Sequence, residues 1–316
     1  MLRTIWAVAA LLAGAIFAPG ELSASERYPS QMVRVIVPFG PGSLSDIMAR
    51  IVVDGLSARW RQQVIVENRP GIAGTASAAK AAPDGYTLLI TSNGHTVIGH
   101  TNKNLPFDPI KDFVGITRIS SLPMSLIVNP EVPATTLKEL AELARTRPGT
   151  LHFSSPGVAS TAYIAAALFR KSAQLDLVHV PYKSAPESLT ALLRNDAQMY
   201  FAAVNLATEL VQSGKVRPIA SATETRIAAF PQVPTFRELG LDFVYDSWFG
   251  LMAPVGITPA IARQLNEDVI AVLKSPDIQA KMAQQAAVIG YDAPGQFDKI
   301  IRDDTARMAE IFKETN

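Results

Sequence analysis

Three short stretches of this chain hold the groups that can act on a ligand. In Phe39-Gly40-Pro41-Gly42-Ser43-Leu44-Ser45 a loop rich in glycine and proline ends in hydroxyl side chains. Val33 to Val37 before it is an apolar β-branched run closed by Pro38, the pattern of a buried strand. Ser45 stands where a helix N-cap belongs, Asp46 puts an acid in the first turn, and Ile47, Ile51, Val52 and Leu56 follow at helical spacing. Strand, tight loop and helix start aim several backbone N–H groups at one point, with the positive helix end behind them, which suits an anion. An ordinary βα turn shares these features, so from this stretch alone both readings stand open. The second stretch, Ser92-Asn93-Gly94-His95, follows the apolar run Tyr86 to Thr91 at the same end of the predicted sheet. There His95 either donates to an anionic ligand or pairs with a backbone carbonyl. The third, Ser155 to Thr161 with Gly157 inside it, repeats the design of the first. A strand at Leu151 to Ser154 leads into a small-residue loop, and Ser160 or Thr161 caps a helix over Ala162 to Lys171.

Catalytic constellations are missing around these loops. Ser77-Ala78-Ala79-Lys80 matches the S-x-x-K acyl-enzyme signature, but in an alanine-rich piece and without the companion S-D-N and K-T-G elements. There is no G-x-S-x-G elbow, no H-E-x-x-H and no G-x-G-x-x-G. His95 and His100 have no nearby carboxylate pattern, and His179 lies in an apolar strand as a structural histidine would. The chain has no cysteine, which removes disulfides, thiol catalysis and thiolate metal sites. A net charge of +1 with 7% aromatic residues gives no nucleic-acid surface. The residues therefore point to binding rather than turnover, with no cofactor and no metal.

The elements that must position the three loops alternate. Residues 1–25 stand apart: Arg3, an apolar run from Ile5 to Phe17, then small polar residues at Ser23 to Ser25. This is the pattern of a cleaved secretory signal peptide, the run being short for a membrane span. Beyond it, strands are predicted at Val33–Val37, Gln63–Asn68, Tyr86–Thr91, Val114–Ser120 and Leu126–Val128. A second series begins with a helix after Thr136 and continues with strands at Leu151–Ser154, Leu177–Tyr182, Gln198–Ala203 and Val216–Ala220. Phe243 to Met252 is longer than a typical strand and reads as a passage between domains. Helices at Pro259–Leu273, Asp277–Ala286 and Gln296–Lys313 close the chain. The class is α/β with mainly parallel, doubly wound sheets. Ligands of open α/β sheets sit beyond the carboxyl ends of the strands, so a cleft between two such sheets is the expected site.

Eight segments occur in order: VRVIVPFGPGSLSDIMAR, VIVENRPGIAGT, AAPDGYTLLIT, LPFDPIKDF, VHVPYK, SGKVRPIA, FPQVPTFRELG and WFGLMAP. Together they resemble the tripartite tricarboxylate transporter substrate-binding proteins, the Bug (Bordetella uptake gene) or TctC receptors, over essentially the whole chain from about Tyr28. The resemblance implies a periplasmic binding protein of the Venus-flytrap kind, type II-like. Its ligand cleft would lie between a discontinuous domain, residues 26–124 plus 247–316, and a domain over residues 125–246. It implies a monomer that captures a small organic acid and hands it to the integral-membrane permease subunits of a tripartite transporter. Carried over residue by residue, the ligand groups are Phe39, Gly42, Ser43, Leu44 and Ser45, then Ser92, Asn93, Gly94 and His95, then Ser155, Gly157, Ser160 and Thr161, and finally Ala202. Two positions depart from the family. Ser43 replaces the second glycine of the usual pair, limiting backbone freedom and adding a hydroxyl. Ala202-Ala203 replaces an Asp-Asn whose acid can pair with a ligand ammonium, so the expected ligand is an acid without an amine, aromatic or aliphatic. An extracytoplasmic sensor subunit and an exported enzyme on the same scaffold are the alternative readings.

Overall fold

The structure is a computed structural model that describes residues 28–245 and 247–312. The signal-peptide stretch falls outside the described residues. Among those described, no helix is long and apolar enough to cross a membrane.

In chain order the elements are β1 (Val33–Val37), α1 (Leu44–Trp60), β2 (Val64–Asn68), α2 (Ile72–Ala79) and β3 (Thr87–Ser92). A 3₁₀ turn over Asn93–Val97 runs into the short α3 (Ile98–Thr101), and β4 (Phe113–Leu122) and β5 (Met124–Val128) follow on either side of Pro123. Next come α4 (Leu137–Thr146), β6 (His152–Ser155), α5 (Thr161–Ser172), β7 (Val178–Pro181), α6 (Ala185–Leu193), β8 (Met199–Ala203), α7 (Val204–Gln212) and β9 (Arg217–Ser221). The chain ends with β10 (Ser247–Pro254), α8 (Pro259–Leu273), α9 (Pro276–Gln284), β11 (Val288–Ile289) and α10 (Gln296–Phe312). The 3₁₀ turn, α3 and β11 carry too few residues to show a period, and the sequence pattern missed them.

Two sheets organise these elements. One has six strands in the order β11-β4-β10-β3-β1-β2, the other five in the order β7-β6-β8-β5-β9. The long run at Phe243 joins them: the Tyr245 N–H bonds the Ala222 carbonyl beside the second sheet, and Ser247 pairs with Leu122 in the first.

The sheets are mixed, which corrects the expectation of mainly parallel pairing. β1 is parallel to β2 and β3, and β6 to β7 and β8. β10, however, is antiparallel to both β3 and β4, and β5 is antiparallel to β8 and β9. The cause is the double crossing. β5 and β10 carry the chain away from the seam just after it crosses, so each runs against neighbours whose carboxyl ends face that seam.

Packing fixes the frame. β1 buries Val33, Val35, Ile36 and Val37 almost completely, the signature of a central strand covered on both faces. α8 is tied to α1 where Asp268 accepts from Arg59 and from the Trp60 indole, at 2.6 and 2.7 Å. α10 lies on the opposite face, held by the Trp248 indole on Asp304 at 2.6 Å and by the Gly115 N–H on Asp298 at 2.7 Å. Its last turns reach the other half of the molecule. Lys171 of α5 donates to the Glu310 carbonyl at 3.0 Å, and the Tyr163 ring lies 6.3 Å from that of Phe312.

Candidate functional site

Each sheet has one place where the winding reverses. β1 leads through α1 to β2 on one side, while its other neighbour, β3, leads away toward β4. In the second sheet β6 leads through α5 to β7, and its neighbour β8 leads through α7 to β9. The crevices at the carboxyl ends of β1/β3 and β6/β8 are therefore topological switch points, where ligands of open α/β sheets bind. The segments after these four strands are residues 38–43, 93–97, 156–160 and the turn into α7, and the three stretches singled out above overlap the first three of them.

The first jaw is organised by Asp46. This buried carboxylate accepts from the Gly42 N–H at 2.9 Å, from Arg50 at 3.1 Å and from Asn68 at 2.9 Å, and Asn68 also donates to the Phe39 carbonyl. Burial pushes the Asp46 carboxyl up, but the bonds from Arg50, Gly42 and Asn68 together outweigh it and hold the group below the usual carboxylate range. The N-cap of α1 is Ser43, not Ser45: its hydroxyl accepts the Asp46 N–H, and its φ of −67° is ordinary for an L-residue. The turn that needs glycine lies one residue earlier, at Gly42 with φ of 76°. Ser43 thus fits without strain, while the Gly42 N–H is spent on Asp46. What this jaw has left over are the Leu44 and Ser45 N–H groups, which as first-turn donors have no intrahelical partner, Ser45 itself being buried. Phe39 is half-buried, its ring packed on the core.

The second stretch is the end of β3 and the start of the buried 3₁₀ turn over Asn93–Val97. The Ser92 hydroxyl accepts the Gly94 N–H, and the Asn93 amide donates to the Tyr245 hydroxyl. A Cβ on Gly94 would sit 2.1 Å from the Ala159 carbonyl oxygen, so the two jaws meet here, and only glycine allows the approach. Of the two alternatives for His95, the structure shows the carbonyl pair. Its Nε2 lies 2.7 Å from the Pro109 carbonyl oxygen and its ring stands edge-on to Phe113. Burial holds its pKa down at about 4, against the opposing pull of the Pro109 bond. His95 is neutral and faces inward, so the imidazole is not a cleft donor. His100 is similarly engaged, at 3.0 Å from the Thr305 carbonyl oxygen.

The second jaw is the start of α5. Ser160 is its cap, accepting the Tyr163 N–H at 3.2 Å and donating to the Gly157 carbonyl at 2.6 Å. Thr161 is the first helical residue. Its hydroxyl makes no hydrogen bond among the described residues, and the Thr161 and Ala162 N–H groups are first-turn donors. Ser155 is fully buried, its Oγ 2.7 Å from Nε2 of His179. That partner was missed in the sequence because the two lie 24 residues apart. Ala202 is also fully buried, packed in an apolar cluster with Ile127, Ala162, Tyr200 and Val204. One turn on, Asn205 donates to Gln285 across the seam at 3.4 Å, and its own Oδ1 is buried without a partner. The S-x-x-K pair does not form a site: Ser77 accepts from Arg69, and Lys80 is exposed at the end of α2.

Near the Gly94–Ala159 contact, Asn93, Thr96 and Tyr245, Ile164 and Leu168 of α5, and Asp304, Arg307 and Met308 of α10 line a cavity of about 50 Å³. That is room for a few water molecules and not for an organic acid. Among the described residues no group of His, Asp or Glu side chains is placed to hold a metal ion.

Two α/β halves, joined by crossing strands, each with a helix start at the carboxyl end of its sheet and in contact where Gly94 meets Ala159, have the architecture of a periplasmic binding protein. The family model described as "Tripartite tricarboxylate transporter family receptor" matches residues 48–316, and the chain belongs to this family of periplasmic receptors. It is 31% identical to Protein BugT of Bordetella pertussis over 92% of this chain and 91% of that one. Among solved structures it is similar to Rpa4515 of R. palustris with adipate, with a TM-score of 0.80 and 28% identity over 90% of this chain and 97% of that one. MatC from Rhodopseudomonas palustris with bound malate is equally near, with a TM-score of 0.80 and 27% identity over 90% of this chain and all of that one.

Proposed function

We propose that this protein captures a small carboxylate without an amine, an aromatic acid or an aliphatic mono- or dicarboxylate, and delivers it to the permease of a tripartite tricarboxylate-type transporter. The observation that carries this reading is the helix start at the switch point of each sheet. Leu44 and Ser45 in one half, Thr161 and Ala162 in the other, supply first-turn N–H donors, and Thr161 a hydroxyl, that have no partner among the described residues. A carboxylate bridging them binds the closed arrangement better than the open one, and that difference in affinity drives closure. Closing removes water and strengthens each charge-assisted bond. The moving bodies in this reading are residues 26–124 plus 247–316 and residues 125–246, after cleavage of a signal peptide near residue 25.

The apolar packing of Ala202 supports the exclusion of amines. An ammonium beside it would lack a carboxylate partner, a cost of several kcal/mol in a dry site, roughly. The Asn205 Oδ1 is a neutral acceptor suited to a hydroxyl. Adipate and malate in the two similar structures fit this class. Turnover is disfavoured because Ser155, the serine hydrogen-bonded to a histidine, is fully buried and its hydroxyl engaged.

A thermal-shift screen with adipate, malate, benzoate, aspartate and glutamate tests the reading. A non-amino acid at 100-fold its Kd should stabilise the protein by about 2.7 kcal/mol. Stabilisation by aspartate or glutamate alone would overturn the ligand class. Capture of permease subunits by the loaded protein, rather than of a signalling partner, is the result expected for the transport role.

A further inference from the structure

The hydroxyls of the second jaw are used in different ways. Thr161 is uncommitted, whereas Ser155 is clamped from two sides. Its Oγ lies 2.7 Å from His179 Nε2 and takes the Gly157 N–H at 3.2 Å. His179 comes from the neighbouring strand, and the β6–β7 register sets it opposite Phe153, two residues before Ser155 on the same face. The imidazole stacks on Phe153 at 5.0 Å and meets the Tyr163 ring edge-on at 4.7 Å. From Ser155 the contacts continue in a closed circuit. The Gly157 carbonyl accepts from the Ser160 hydroxyl at 2.6 Å and from the Ser160 N–H at 3.0 Å. The Ser160 hydroxyl then caps Tyr163, whose ring returns to His179.

We propose that His179 is a positioning residue of this jaw. Through Ser155 and the Gly157 turn it fixes the start of α5, and so the direction of the Thr161 and Ala162 donors, without touching the ligand. Burial and the nearby Arg170 keep its imidazole neutral, with a pKa of about 4. Nε2 and the Ser155 hydroxyl share one hydrogen bond, and the same hydroxyl takes the Gly157 N–H and lies 3.3 Å from the Gly157 carbonyl oxygen, so Ser155 is tied to both ends of that residue. The inference rests on the proposed cleft for its link to affinity, while the circuit itself stands on the geometry.

Two variants separate the hydrogen bond from the ring packing. His179→Phe keeps a ring between Phe153 and Tyr163 but removes Nε2, and His179→Gln restores a polar group near the Nε2 position without the ring. Binding is read by calorimetry with adipate and malate as probes. Amide exchange over residues 153–165 is read on the unliganded protein, and global stability by urea unfolding. For His179→Phe, a loss of about 10-fold in affinity is expected, the scale of one hydrogen bond, with exchange faster across 155–163 and the urea midpoint near wild type. His179→Gln should recover most of both. Ser155→Ala, cut at the other end of the same bond, should show the same local loosening should His179→Phe fail to fold. Wild-type affinity and exchange in His179→Phe would overturn the proposal. So would losses in both His179 variants that merely track the urea midpoint. If neither acid binds the wild-type protein, the aliphatic dicarboxylate arm of the cleft reading fails on that result, and the exchange data alone decide the role of His179.

Discussion

Asp46 and His95 are the two titratable groups that shape the first jaw, and neither acts as the sequence position alone suggests. Asp46 reads as a helix-dipole acid, yet its carboxylate holds the loop together by gathering Gly42, Arg50 and Asn68. His95 lies beside the cleft, yet its burial makes it a pH-sensitive structural group. The sign follows from the direction of the shift. The folded imidazole titrates near 4 against an ordinary 6.5, so the unfolded chain takes up the proton first as pH falls. The neutral histidine's contribution is complete above pH 6.5 and is lost as pH drops toward 4, by about 3 kcal/mol at most. Urea unfolding between pH 6.5 and 4.5 should show stability falling with pH in the wild type and a shallower fall in His95→Gln. An unchanged slope in that variant would mean that other groups carry the dependence.

At the scale of elements, α1 and α5 repeat one arrangement, a serine cap followed by two free N–H donors. The two hydroxyls at the start of α5 have separate duties. Ser160 serves the protein, capping Tyr163 and holding Gly157, while Thr161 engages nothing among the described residues. Ser160→Ala should therefore cost about 1 kcal/mol of stability, the usual loss of an N-cap. Thr161→Ala should leave stability within about 0.5 kcal/mol and weaken ligand binding instead. Paired urea titrations and calorimetry check this, and a Thr161→Ala protein with full affinity would remove that hydroxyl from the site.

At the scale of the molecule, the halves are tied by α10, whose Met308 lies with Asn93 and Ile164 around one cavity, and they touch again where Gly94 faces Ala159. The second contact belongs to an arrangement with the jaws together. A methyl group added at Gly94 meets the Ala159 backbone, which cannot turn aside as a flexible side chain would. Gly94→Ala should fold normally by circular dichroism, bind its acid at least about 10-fold more weakly, and show a larger radius of gyration than the wild type at saturating ligand. Equal affinity and equal compaction would show that the bound state does not use this approach.

The sequence by itself determined what is local. Apolar periods gave the strands and longer helices, proline and glycine gave the turns, and runs such as PFGPGSLSD and SSPGVAST marked strand–loop–helix starts, because each of these signals acts within a few residues. It even placed the departures at Ser43 and Ala202, although the cap fell two residues from where the pattern put it. Only the tertiary structure decided which donors remain free. That depends on partners far along the chain: Asn68 on the Asp46 that holds Gly42, Pro109 under His95, His179 beside Ser155, and Ala159 against Gly94. The antiparallel course of β5 and β10 is of the same kind. Strand direction is set by the chain crossing the seam between two halves, and no run of residues carries that information until both halves are folded.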